Sequence, residues 1–151
     1  TGCLLLQRRE CMAKNNAVIL IKGEQVIDGE HDVTEIDVTG DLSETDGGLK
    51  LEFWEYLDDK EKVHTEIVID GDTVTMKKDG SVATEMIFEK GVRHNGEYVT
   101  PVGALSVGVN TNDVVIDIED GSGKILLEYD LDFNMGFLAK NKLEIKLNPK
   151  E

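Results

Sequence analysis

The sequence predicts one all-β domain, an antiparallel meandering barrel of roughly eight to ten strands. Three observations carry that expectation. From Ala17 onward, apolar and polar residues alternate with the two-residue period of a strand. Turn pairs of the Asp-Gly and Asn-Gly kind interrupt the alternation at short intervals. No window carries a helical stripe, and the only prolines are Pro101 and Pro149, so little breaks the ladders.

Taken in order, the strands are expected at 17–27, 32–43, 49–57, 63–70, 73–78, 82–89, 97–100, 102–111, 113–119, 124–133 and 137–147. The alternation is clearest late in the chain. Ile125, Leu127, Tyr129, Leu131 and Phe133 share one face, against Glu128, Asp130 and Asp132 on the other. The last strand sets Phe137, Ala139, Asn141, Leu143, Ile145 and Leu147 against Lys140, Lys142, Glu144 and Lys146. Earlier, Val63, Thr65, Ile67 and Ile69 oppose His64 and Glu66, and Val82, Thr84, Met86 and Phe88 oppose Glu85 and Glu89. One wet and one dry face is the mark of antiparallel sheet. Turns are expected at Asp28-Gly29, Asp46-Gly47-Gly48, Asp70-Gly71-Asp72, Asp79-Gly80, Lys90-Gly91, Asn95-Gly96, Asp120-Gly121-Ser122-Gly123 and Asn134-Met135-Gly136. Gly23, Gly40, Gly103 and Gly108 fall inside strands, where glycine marks a bend, a bulge or a close backbone approach. Such bends let a one-sided sheet curl shut and bury its dry face.

With 151 residues the chain suits one domain, large enough to bury roughly 70% of its unfolded surface without metal or disulfide. Sixteen basic residues against 31 acidic ones leave a net charge of −15, spread along the chain. That field repels phosphate backbones and anionic lipid, so neither nucleic acid nor a membrane surface is an expected partner. Cys3 and Cys11 both precede the first patterned strand, which fits a reducing compartment and a cytoplasmic location.

The opening stretch lacks the two-residue pattern. Arg8-Arg9-Glu10 can be encoded by a purine run of the ribosome-binding type shortly before Met12. Residues 1–16 are therefore expected to be a disordered leader, with Met12 as the true start, followed by a single barrel domain over 17–148.

At Tyr98-Val99-Thr100-Pro101-Val102-Gly103 the chain resembles the YwiB-like proteins, a bacterial domain of unknown function with a lipocalin-like (calycin) barrel. Val74-Thr75-Met76-Lys77-Lys78-Asp79-Gly80, Phe88-Glu89-Lys90-Gly91, Thr111, Gly123, Leu127, Tyr129 and Asn141-Lys142-Leu143-Glu144-Ile145 fit the same pattern in order. The match spans Ala17 to Leu147. In the family pattern an arginine is common just before the glycine of the Val74–Gly80 segment. This chain has Lys77 and Lys78 there, point charges without a bidentate fork. The resemblance implies the fold and no reaction.

The residues themselves name no chemistry. His31, His64 and His94 lie in separate hairpins without ligand spacing, so no metal is expected. The acidic loops Asp28–Asp32 and Asp41–Asp46 lack the oxygen spacing of a calcium loop. No nucleophile elbow, phosphate loop or dinucleotide fingerprint is present, so no cofactor is expected and the reading leans against an enzyme. Polar residues on the dry face are more informative, because buried polar groups need partners. Lys78 follows Val74 and Met76 in phase, Tyr129 lies between Leu127 and Leu131, and Asn141 shares a face with Leu143 and Ile145.

Two functional readings follow. The first is a small-molecule site in or at the mouth of the barrel. Lys78 would supply charge, Tyr98, Tyr129 and Asn141 polar contacts, and Trp54, Tyr56 and Phe133 apolar walls, for an anionic or apolar ligand. The second is a protein-interaction or structural module whose barrel is plugged by Phe53, Met86, Phe88, Phe133 and Phe137. It would use an outer patch of Val115, Leu126 and Leu138, with homo-oligomerisation left open.

Overall fold

Among the described residues ten antiparallel strands each pair with the next, and the first pairs with the last, closing a barrel. The computed structural model describes residues 16–56, 61–80, 83–119, 121–133, 136 and 138–149, without the side chains of Thr100, Phe133 and Leu138. Residues 1–15 of the expected leader, with the Met12 start and both cysteines, lie outside the described residues, as do Val82 and Phe137. Asn16, by contrast, is held to the Leu42 backbone by two hydrogen bonds of 2.9 and 2.7 Å.

The strands are β1 (Ala17–Ile27), β2 (Glu30–Thr45), β3 (Gly48–Tyr56), β4 (Lys62–Asp70), β5 (Thr73–Gly80), β6 (Ala83–Phe88), β7 (Arg93–Thr100), β8 (Gly103–Glu119), β9 (Ser122–Phe133) and β10 (Leu138–Pro149). The first hairpin is set by its turn chemistry. Asp28 and Gly29 have φ of 50° and 80°, the positive pair that matches a two-residue turn to the twist of its strands. The closing ladder runs from Ala17 opposite Pro149 to Ile27 opposite Ala139.

Several expectations need correction. Asp79-Gly80 is not a turn but the end of β5, paired with His64 and Val63, and Ser122-Gly123 already belongs to β9. Asn95-Gly96 is not a turn. It lies inside β7, which starts at Arg93, and the reversal comes earlier, at Gly91 with φ of 79°. Gly96 serves packing instead, since a Cβ there would come within 2.5 Å of the Glu85 carbonyl oxygen on β6. The separate strands expected at 102–111 and 113–119 are one, β8, with a bulge between Thr111 and Asp113. The extra residue shifts the inward set from Val107, Val109 and Thr111 to Val114, Ile116 and Ile118.

The interior is filled with side chains over most of its length. Ile19, Leu51, Ile67, Phe88, Ile125, Leu127 and Ile145 have no solvent exposure. Each such side chain contributes about 1.5–3 kcal/mol by leaving water.

The wall is uneven between β2 and β3. Their ladder extends only from Thr45 opposite Gly48 to Gly40 opposite Phe53. Beyond it, the Glu30–Thr39 stretch of β2 pairs with β1, and Trp54–Tyr56 of β3 pairs with β4. Gly40 marks the parting point. A Cβ there would meet the Glu52 carbonyl oxygen, the Ile19 Cδ1 at 2.7 Å and the Phe53 Cβ at 2.9 Å.

Candidate functional site

The odd-numbered strands end at one rim of the barrel, and inward polar side chains gather there. One row crosses six strands by direct pairing: Phe53, Thr65, Lys78, Thr84, Tyr98 and Leu105. Just above it on β3 stands Glu55, buried although it is a carboxylate. The Thr65 hydroxyl donates to Glu55 Oε1 at 3.0 Å, and the Lys78 ammonium lies 3.4 Å from the same oxygen. A carboxylate held out of water needs such partners.

The facing wall comes from β1, β9 and β10. Asn141 is opposite Gln25 on one side and Tyr129 on the other. The Gln25 amide donates to Asn141 Oδ1 at 2.9 Å, and the Asn141 amide donates to the Ala139 carbonyl at 3.3 Å. Deeper in, the Tyr129 ring packs against Phe88 with centroids 4.6 Å apart and planes tilted by 58°. Burial pushes the Tyr129 phenol up to about 12.

Between these walls lies a pocket of about 330 Å³, lined by Gln25, Thr84, Met86, Glu97, Tyr98, Leu105, Val107 and Leu131. The Thr84 hydroxyl is buried there with no hydrogen-bond partner among the described residues. The arrangement offers apolar walls and a few polar groups, which is the chemistry of binding.

A family model for a domain of unknown function, DUF1934, matches residues 19–145. The chain belongs to the DUF1934 family. The match takes in every strand that contributes to the mouth. The crystal structure of the YwiB protein from Bacillus subtilis is similar in fold, with a TM-score of 0.80 and 22% identity over 94% of this chain and 98% of that one. No curated protein matches the chain.

In this DUF1934 domain, Lys78, Tyr98 and Asn141 come to the mouth, Tyr98 alone of them lining the pocket, and Tyr129 lies deeper, in the core. Lys78 and Tyr98 sit in one row with Thr84 between them, and Tyr129 and Asn141 are neighbours across β9 and β10. Trp54 and Tyr56 do not join them. They alternate with the inward Phe53 and Glu55, so they point outward, 44% and 73% exposed. Trp54 lies on the outer wall beside His64, ring centroids 4.8 Å apart, under the Lys62 ammonium. The Phe133 backbone pairs with Val107, and its side chain lies outside the described residues. Glu55 and Gln25 escaped the sequence reading, although each falls in phase with apolar inward neighbours, and Thr84 falls on the expected dry face but not among the candidate ligand contacts. Among the described residues no three metal-ligating side chains cluster, and no helix is long and apolar enough to cross a membrane.

Proposed function

We propose that the mouth of this barrel binds one small, largely apolar, uncharged molecule. The observation that carries the reading is the pocket of about 330 Å³ above an otherwise filled core, walled by Met86, Leu105, Val107 and Leu131. That volume falls at the small end of the ~300–1,000 Å³ range of ligand pockets. The Lys78–Glu55 contact argues for an uncharged ligand, since the cation that would attract an anion already faces a carboxylate.

Titration with pyrene, a fluorophore without polar atoms, tests the proposal. Saturable binding at one site is expected, with at least about a tenfold loss in Leu131→Trp, whose larger ring enters the pocket. No saturable binding, or equal binding by the filled variant, overturns it.

A protein-interaction module has a smaller footing. Val115 and Leu126 are outward cross-strand partners on β8 and β9. Two side chains cover a small part of the roughly 800 Å² per partner that a stable interface needs, so the mouth is the stronger candidate.

A further inference from the structure

We propose that the mouth pocket selects a neutral alcohol over the carboxylate of the same chain length, and that the Thr84 hydroxyl reads the alcohol group. The inference rests on the binding reading above and assigns the ligand's chemical class.

The polar groups of the pocket are unequal in what they can still bond. One N–H of the Gln25 amide is engaged by Asn141 Oδ1, which leaves its other N–H to donate and its carbonyl oxygen to accept. The Thr84 hydroxyl is buried and unpartnered among the described residues, and a hydroxyl both donates and accepts. No cationic side chain lines the pocket. The nearby Lys78 ammonium faces Glu55, and the rim carries Glu97.

A carboxylate entering this site would leave its hydration behind and find no free cation, on a chain whose net charge is already −15. An alcohol has no such charge to desolvate. Its oxygen accepts from Thr84, and its proton goes to the carbonyl oxygen of Gln25, while its alkyl chain lies against Leu105, Val107 and Leu131. Partnering a buried hydroxyl that has no hydrogen-bond partner among the described residues is itself favourable.

The test is displacement of pyrene by 1-octanol and by octanoate at pH 8, on the wild-type chain, Thr84→Val and Thr84→Ser. The expected result is that octanol competes at least about tenfold better than octanoate. Thr84→Val weakens octanol relative to pyrene by about five- to tenfold, and Thr84→Ser keeps that ratio near the wild-type value. Urea unfolding with a cooperative transition and a slope like the wild type's shows that each variant is folded. Octanoate competing as well as octanol, or octanol indifferent to Thr84→Val, overturns the inference while the pocket stands. Failure of pyrene itself to bind removes the binding reading instead.

Discussion

Across the width of β4, Lys78 on β5 reaches Glu55 on β3, its ammonium 3.4 Å from the carboxylate oxygen that Thr65 also bonds. The two partners are unequally buried, with the Lys78 side chain 33% exposed and that of Glu55 11%. That inequality sets the order of mutational costs. Lys78→Met leaves a buried carboxylate with one neutral donor and is expected to cost about 1–3 kcal/mol. Glu55→Gln leaves a lysine that reaches water and is expected to cost about 0.5–1.5 kcal/mol. Urea unfolding of both single variants and the double variant measures this, and the double variant should cost less than the sum. A larger cost for Glu55→Gln would contradict the burial argument.

Tyr129 predicts an alkaline weakness. Its phenol is raised from 10.0 to about 12 by burial, so the folded state holds that proton more tightly than the unfolded chain. The associated stability is complete below pH 10 and lost as pH climbs toward about 12, with a total of about 2–3 kcal/mol. Thermal melts of wild type and Tyr129→Phe between neutral pH and pH 11 should show the wild type losing stability faster. Parallel curves would remove the claim.

At the acid end the corresponding group is Asp132, whose carboxyl is held below its ordinary 3.8 chiefly by the hydrogen bond from Arg93. Arg93 Nη2 and Asp132 Oδ1 are 2.6 Å apart on the outer face, draped over Gly108. A depressed carboxyl adds stability above its unfolded value and loses it as pH falls through the folded one. The melting-temperature gap between wild type and Asp132→Asn should therefore be present at neutral pH and shrink in acid. Because both side chains are largely exposed, the gap is small and molar salt narrows it further. Gly108→Ala should reproduce the Asp132→Asn profile, since its Cβ lands on the Arg93 and Asp132 side chains.

Gly40 bears on the wall itself. Gly40→Ala places a methyl against Ile19, Phe53 and the Glu52 carbonyl, where the backbone cannot yield cheaply. A loss of about 1–3 kcal/mol is expected in denaturant unfolding. The same change at Gly29, where a Cβ meets nothing within 4 Å but φ is +80°, isolates the cost of left-handed backbone.

How much of this was legible beforehand depends on what alternation can carry. It placed Lys78, Tyr129 and Asn141 on the inward face because a two-residue period is geometric and indifferent to residue type. The same period, carried on from Leu51 and Phe53, sets Trp54 outward, but its aromatic ring suggests a pocket wall, and the ring packs outside, against His64. Glu55 was hidden by the reverse bias: a carboxylate reads as surface until Thr65 and Lys78 converge on it from other strands, and that convergence is tertiary. Asn95-Gly96 carried a strong local turn signal that lost to the close approach of β6 and β7. The bulge in β8 left a trace, a shift of apolar residues from odd to even positions after Thr111, which looked like a strand break because a turn produces the same shift.

The pairing of Ala17 with Pro149 bears on how the molecule comes into being. On a ribosome, β1 emerges first and finds β2 at once through a two-residue hairpin, but its other edge has no neighbour until the final strand has been made. The nascent chain is thus an open, curling ribbon with one bare border for nearly the whole of its synthesis. Sealing the cylinder requires a contact between the far ends of the chain, the kind of non-local step that makes β folds slow. Until that seam closes, the unpaired border is where a growing copy is most exposed to joining its neighbour.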